Sequence, residues 1–251
     1  MKSCLELLKR TSAVLVTIIG LGACAGMEAY PPPDYTWLVS NPERSDADRA
    51  IDQRREPAKL LNFYGVRPGM RVLDLSAGRG YNTELLARAV GPNGRVYSQN
   101  TRSFSGAGKE AFDARLKSAA MAVVTPVMSD FDDPIPAEVR NLDLVTFNFN
   151  YHDTVYMGVD RAKLNRAVFQ ALKPGGIYIV ADHSARPGAG PEVTKTLHRV
   201  EESLVRKEVE AAGFKLAASA DFLRNPDDPR DTPVTKNPVR NDEFVLKFVK
   251  P

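Results

Sequence analysis

Cysteine and histidine are both scarce in this 251-residue chain, with two of the first and three of the second. Cys4 falls in an N-terminal leader, so only Cys24 remains to the mature chain, which excludes an internal disulfide framework and a multi-cysteine metal site. Charge of one sign is also lacking: 34 Lys and Arg stand against 31 Asp and Glu. Tryptophan occurs once, at Trp37, and no basic tract is interleaved with aromatic side chains. These absences argue against a nucleic-acid partner, which calls for a basic patch or a stacking platform. No internal repeat is present. The longest apolar stretch, centred on residues 11–20, is too short for a comfortable membrane span.

That stretch follows Lys2, Lys9 and Arg10 and runs into Leu21-Gly22-Ala23-Cys24, the pattern of a secretory signal peptide over residues 1–23. The last four residues also resemble a bacterial lipoprotein box, in which Cys24 would be lipidated and become the first mature residue. Cleavage after Ala25 would instead release a soluble periplasmic product. Both cuts export the chain, and the expectation is an envelope protein, lipid-anchored through Cys24 or periplasmic. Loss of three basic residues and Glu6 with the leader lowers the formal charge from +3 to +1, so the basic whole-chain balance says little about partners.

From Cys24 onward 228 residues remain, enough for one sizeable core. Residues 24–43, with Pro31-Pro32-Pro33 and Trp37, read as a tether or an arm that Trp37 would anchor, and 44–251 as the domain. Residues 46–66 permit helical segments interrupted or restarted by Pro57, with Arg44, Asp48, Asp52 and Arg55 read as a solvated face. Strand patterns follow at 70–75, 94–99, 122–128, 142–147 and 177–181, separated by helical patterns at 81–90, 109–119 and 159–172. A further helix at 201–212 precedes strands at 215–218 and 243–248, joined by a long polar loop over 223–241. Such alternation predicts an α/β domain with a mostly parallel sheet and helices on both faces, closed by a terminal hairpin.

The first strand breaks into a glycine turn, Asp74-Leu75-Ser76-Ala77-Gly78-Arg79-Gly80, just before an amphipathic segment. Gly78 and Gly80 permit tight backbone geometry and leave room for a ligand over the strand end, near exposed helix-start amides. All three histidines lie in the C-terminal half: His152 after the fourth strand, His183 after the fifth, and His198 beside Arg199. Loops at parallel strand ends converge on the crevice of an open α/β sheet, so Tyr151, His152, Asp153, Asp182, His183 and His198 read as one polar pocket. The histidine spacings of 31 and 15 residues match no compact metal motif, and no metal is expected.

Over residues 45–251 the chain resembles the class I S-adenosyl-L-methionine-dependent methyltransferases. The resemblance rests on residues 72–80, on Asn-Leu-Asp-Leu-Val at 141–145, on Leu-Lys-Pro-Gly-Gly at 172–176 and on the terminal strand pair. Asn150-Tyr151-His152-Asp153 and Asp182-His183-Ser184 look like segments of the predicted exported bacterial methyltransferases. The resemblance implies a Rossmann-like seven-stranded sheet, mostly parallel with its last strand antiparallel, and S-adenosylmethionine bound across the C-terminal ends of the early strands. Asp74, Ser76, Gly78 and Gly80 would hold its amino-acid part and Asp130 would face the adenine. Gln99 and Asn100 stand where many relatives place an acid on the ribose hydroxyls, leaving only neutral hydrogen bonds.

The activity so implied is methyl transfer to oxygen or nitrogen of a small-molecule acceptor. His152, then His183, would serve as base or orient the acceptor, with Tyr151 shaping the cavity. Asn150, Asp153, Asp182, His198 and Arg199 would contact or orient the substrate. The neutral end of the second strand, and a donor made in the cytoplasm while the leader points outward, support an alternative: a non-catalytic envelope protein that uses the same fold to bind a small molecule or partner. A nicotinamide dehydrogenase fits less well, because the terminal strand pair and Pro174-Gly175-Gly176 favour methyl transfer.

Overall fold

Val72, Leu73 and Leu75 of strand β1 (Arg71–Leu75) are all fully buried. A strand apolar on both faces belongs in the middle of a parallel sheet covered on both sides. In the computed structural model, which describes residues 34–251, β1 occupies that place. The leader 1–23, Cys24 and residues 25–33 of the expected tether lie outside the described residues.

The other strands are β2 (Arg95–Asn100), β3 (Val124–Met128), β4 (Leu142–Asn148), β5 (Leu172–His183), β6 (Lys215–Ala220) and β7 (Glu243–Val249). They form one seven-stranded sheet in the order β3-β2-β1-β4-β5-β7-β6. β1 to β5 pair in parallel, and β7 slots between β5 and β6, antiparallel to both. This is the mostly parallel sheet with an antiparallel last strand that the sequence predicts.

Helices α1 (Thr36–Val39), α2 (Asp46–Arg55), α3 (Pro57–Tyr64), α4 (Tyr81–Val90), α5 (Gly106–Arg115), α6 (Tyr151–Tyr156), α7 (Arg161–Ala171), α8 (Glu192–Thr196) and α9 (Glu202–Ala211) surround it. Because side chains alternate across a strand, each central strand feeds two cores. Leu73, Val145, Val180 and Leu246 pack on one side with Leu164 and Val168 of α7 and Val205 and Val209 of α9. Val72, Leu144, Ile179 and Val245 pack on the other with Leu60 and Leu61 of α3 and Leu85 and Leu86 of α4. No helix among the described residues is long and apolar enough to cross a membrane.

The N-terminal segment departs from expectation in two ways. Trp37, expected to anchor the arm, is 63% exposed, whereas its neighbours Tyr35 and Leu38 enter the core and the Tyr35 hydroxyl donates to the Val66 carbonyl. The packed domain therefore begins before residue 44. The charges of α2 are not a solvated face either. Arg44 is buried and forks onto Asp52 at 2.5 and 2.8 Å, and Asp48 is buried against Arg115 of α5 at 2.6 and 2.8 Å. Ser45 caps α2 by accepting from the Asp48 amide, and the chain turns through a left-handed Glu56 so that Pro57 opens α3.

Arg199 is a second correction. It was expected to meet substrate, yet it is fully buried and donates to Asp228 at 2.8 and 3.3 Å, to the Ser184 carbonyl and to Asn241. Asp228 also accepts the Asp242 amide at 2.6 Å, so the long polar loop is tied at Asp228 to the start of β7. Burial alone would raise the Asp228 pKa, but the amides of Asp242 and Arg230 and the Arg199 guanidinium hold it below the usual carboxylate range.

Arg199→Ala leaves Asp228 buried and uncompensated, and is expected to lower unfolding free energy in urea by about 3–5 kcal/mol. With its folded pKa depressed, Asp228 contributes stability that is present above the unfolded carboxyl pKa of about 4 and is lost as pH falls through the folded value. Asp228→Asn should therefore flatten the acid limb of the Tm-versus-pH curve.

Candidate active site

The chain leaves β1 toward β2 on one side and leaves the neighbouring β4 toward β5 on the other, which opens a crevice at the C-terminal ends of these strands. Asp74, buried at the end of β1, holds its walls together. Its Oδ1 accepts from Asn82 Nδ2 at 2.7 Å and Thr146 Oγ1 at 2.9 Å, and its Oδ2 from Thr83 Oγ1 at 2.6 Å. Burial raises the Asp74 pKa, and these three donors work against that rise.

The glycine turn then runs through left-handed backbone at Ser76, Gly78 and Gly80. At Gly80 a Cβ would press on Phe112, whereas at Gly78, which lines the crevice, it would meet nothing within 4 Å. Gln99 Oε1 accepts the Ser76 amide at 2.9 Å and its Nε2 donates to the Ser129 carbonyl. Asn100 Oδ1 accepts the Gly78 amide at 2.8 Å and its Nδ2 donates to the Gly78 carbonyl at 3.2 Å. Both amides, expected at the ribose, are thus engaged in shaping the loop. Asp130 is half-exposed beyond β3 and accepts from the Arg102 amide and guanidinium at 3.0 and 3.1 Å.

A cavity of about 210 Å³ lies over this turn, walled by Ile51, Arg54 and Arg55 of α2, by Gly78 and Asn82, and by the β4 end at Asn148, Phe149 and Asn150. It is smaller than a typical ligand pocket of about 300–1,000 Å³, and so suits one end of a larger ligand. The Arg55 guanidinium sits 3.3 Å from the Phe149 ring centre, and burial, then the Arg54 charge, pulls its pKa down to about 10. Arg55 Nε and Asn148 Oδ1 are buried with no hydrogen-bond partner among the described residues. Arg54 and Arg55 were absent from the expected site residues. Their signal was an Arg-Arg pair at a helix end, indistinguishable in sequence from surface charge.

Beyond Phe149 the three histidines meet. The His183 ring lies 5.3 Å from Phe149 and 5.9 Å from His152, and His198 stands edge-on to His152 at 5.5 Å. Asp182, fully buried at the end of β5, accepts from the His152 and His183 amides, both at 2.8 Å, and contacts His152 Nδ1 at 2.7 Å. His152 Nε2 lies 3.1 Å from Asp153 Oδ1, and Asn150 Nδ2 donates to Asp153 Oδ2 at 2.7 Å. Burial works against a charged His152, but Asp182 and then Asp153 outweigh it and push its pKa up to about 10. His183 Nδ1 lies 3.0 Å from Glu243 Oε1, too obliquely for a hydrogen bond.

Two expectations therefore need correction. A base needs a free lone pair, and His152 has carboxylates facing both ring nitrogens. Tyr151 points away from the crevice into the opposite core, where its hydroxyl donates to Glu208 at 2.7 Å and accepts from Asn165 at 2.9 Å. Asp153, Asp182, His183 and His198 do gather as expected, and Asn150 joins them to the crevice.

Asn100→Ala removes both contacts that brace Gly78 and is expected to cost about 1–3 kcal/mol. Amide exchange at Gly78 should quicken while α7 and α9 stay protected; unchanged exchange at Gly78 would contradict the bracing role.

A family profile described as a methyltransferase domain matches residues 67–220. The ubiquinone/menaquinone biosynthesis C-methyltransferase of Burkholderia multivorans is 29% identical over 160 residues, covering 63% of this chain and 59% of that protein. The demethylmenaquinone methyltransferase of Staphylococcus aureus is 32% identical over 130 residues, 50% of this chain and 48% of that protein. The chain thus spans less than two thirds of these relatives' length. Among solved structures, an S-adenosylmethionine-dependent methyltransferase from Aquifex aeolicus superposes with a TM-score of 0.60 at 19% identity, covering 82% of this chain and 97% of that one. A sarcosine dimethylglycine methyltransferase homologue from Galdieria sulphuraria gives 0.61 at 15% identity, covering 81% and 87%. These two likenesses concern the fold.

Proposed function

The chain belongs to the methyltransferase-domain family, and from that premise we propose that it is an S-adenosylmethionine-dependent methyltransferase acting on a small molecule at an oxygen or nitrogen atom. The observation that carries this reading is the chemistry of the crevice. The Arg55 guanidinium, with Nε unpartnered, and Arg54, which also reaches Glu243 at 3.3 Å, line the crevice together with the orphaned acceptor Asn148 Oδ1 and Gly78. That set suits a zwitterionic amino-acid group: its carboxylate toward the arginines and its ammonium toward Asn148. A 210 Å³ cavity takes this end of the donor and leaves its nucleoside to the β2 and β3 side, toward Asp130.

When bound, the donor supplies an electrophilic methyl group on a sulfonium. The protein's own contribution is orientation. Phe149, held at a left-handed φ of 61° and stacked under Arg55, forms the wall between the donor end and the histidines. His183, against Phe149 and with Nδ1 turned to Glu243, leaves Nε2 as its ring nitrogen to receive the acceptor's proton. His152 serves to position Asp153 and His198 rather than as base.

Calorimetric titration with S-adenosylmethionine and its demethylated product tests this reading. Both should bind saturably, and Arg55→Met should weaken each at least about tenfold, about 1.4 kcal/mol. Absence of binding by folded protein would favour the non-catalytic binding protein, the reading supported by the engagement of Gln99 and Asn100 within the loop.

The same proposal locates the enzyme in the bacterial envelope, on the strength of the leader pattern and Cys24. Cys24→Ser should abolish labelling by palmitate and shift the protein from membrane to soluble fractions. A wild-type protein that is unlabelled and soluble would establish cleavage after Ala25 instead.

A further inference from the structure

His152, Asp153 and His198 offer three ligand atoms that all lie within 4.8 Å of one another. His152 Nε2 is 3.1 Å and His198 Nδ1 is 3.9 Å from the same oxygen, Asp153 Oδ1. We propose that these three residues form a site for a divalent transition-metal ion of the zinc class, with a remaining coordination position that takes an oxygen of the methyl acceptor. The metal site stands on its own residues, and only the acceptor's place in it rests on the methyltransferase reading.

The separations fit. Ligand bonds of about 2.0–2.2 Å in a tetrahedral site set neighbouring ligand atoms roughly 3.4 Å apart, and the observed 3.1 and 3.9 Å lie on either side of that value. His198, with its side chain 42% exposed, is the most open of the three ligands and the one left to adjust across the longer gap. The left-handed backbone at His198, φ 55°, turns that ring back over His152.

The surroundings hold each buried ligand as metal ligands are held, through the atom not facing the ion. Asp182 contacts His152 Nδ1 at 2.7 Å, which directs Nε2 into the cluster. Asn150 takes Asp153 Oδ2 at 2.7 Å and leaves Oδ1 to the cluster. Two carboxylates thus converge on one imidazole, and an ion held between Nε2 and Asp153 Oδ1 would draw in His198 as a third ligand.

Two imidazoles and one carboxylate suit zinc and its transition-metal neighbours, whereas magnesium and calcium prefer oxygen-rich shells. The cluster opens to solvent past His198 and Asp153, and this side gives the ion its entry and the acceptor its position. Asn150 belongs to both the cavity wall and the Asp153 contact, and so links the cluster to the crevice. A metal-bound hydroxyl acceptor would release its proton more readily, to His183. Its oxygen would then form the bond to the methyl carbon as the carbon–sulfur bond of the donor breaks and the sulfur keeps the electron pair.

The test uses chelator-treated protein carrying no histidine tag and needs no methyl donor. Zn2+ titrated by calorimetry should bind at one equivalent, with Mg2+ unable to compete. Co2+ should give the visible absorption of a low-coordinate site, and catechol, as an oxygen-donor probe, should shift that spectrum. His198→Ala and Asp153→Ala, checked for folding by circular dichroism, should each weaken Zn2+ binding at least about tenfold. No uptake, uptake indifferent to both substitutions, or equal binding of Mg2+ would overturn the site. A Co2+ spectrum unmoved by catechol would overturn the acceptor's place while leaving the ion. Because donor binding is read separately, failure here and failure of the methyltransferase reading are distinguishable.

Discussion

The crevice depends on one buried charge. Asp74 sits where β1, β4 and α4 meet, and its three donors come from two of those elements: Thr146 from β4, Asn82 and Thr83 from the first turn of α4. An isolated carboxylate there would be strongly unfavourable, so the strand spacing and the angle at which α4 leaves the turn are held to positions that keep all three donors in reach. The glycine turn lies between these fixed points, and its left-handed residues are the backbone that spans them. Asp182 plays the corresponding part at the end of β5. It binds the first turn of α6 through the His152 amide and sets the His152 ring, so the second half of the site is likewise organised by a carboxylate at a strand terminus.

How far this arrangement is legible in sequence follows from where its determinants lie. The strands and longer helices carry their pattern locally, and β1, β4, α4 and α9 appear within a residue or two of their expected limits. α6 and α8 do not, since each is one short turn whose start is fixed by a distant partner or by packing rather than by periodicity. The α2 charges were misread for the same reason. Asp48 is buried because Arg115, 67 residues away, meets it, and nothing within α2 announces that partner.

Neighbouring residues with opposite fates make the point more sharply. The left-handed Phe149 sets the direction in which α6 starts, and along that helix the adjacent Tyr151 and His152 point about 100° apart, so that Tyr151 enters the core and His152 joins the other histidines. Arg199 follows His198 in the same way: the left-handed His198 lifts its own ring over the site while Arg199 turns inward to Asp228. Both irregular backbones sit at functional positions, as strained geometry tends to. Residue type identified the chemistry available near the crevice; only backbone direction decided which side chains reach it.

The neutral end of β2 now has a structural sense. An acid at Asn100 would place a carboxylate oxygen where the amide Oδ1 now receives Gly78, but it would lack the Nδ2 that returns a hydrogen bond to the Gly78 carbonyl. Asparagine can satisfy both groups of one glycine peptide, and an acid cannot. The turn therefore gains rigidity at the position where ribose recognition is usually charged. Charge reappears at the other end of the crevice, in Arg54 and Arg55, where the surroundings are dry enough to lower a guanidinium pKa and an ion pair is correspondingly stronger than in water. In the reading advanced above, donor recognition shifts toward the amino-acid end, and the ribose side is left to shape and neutral contacts.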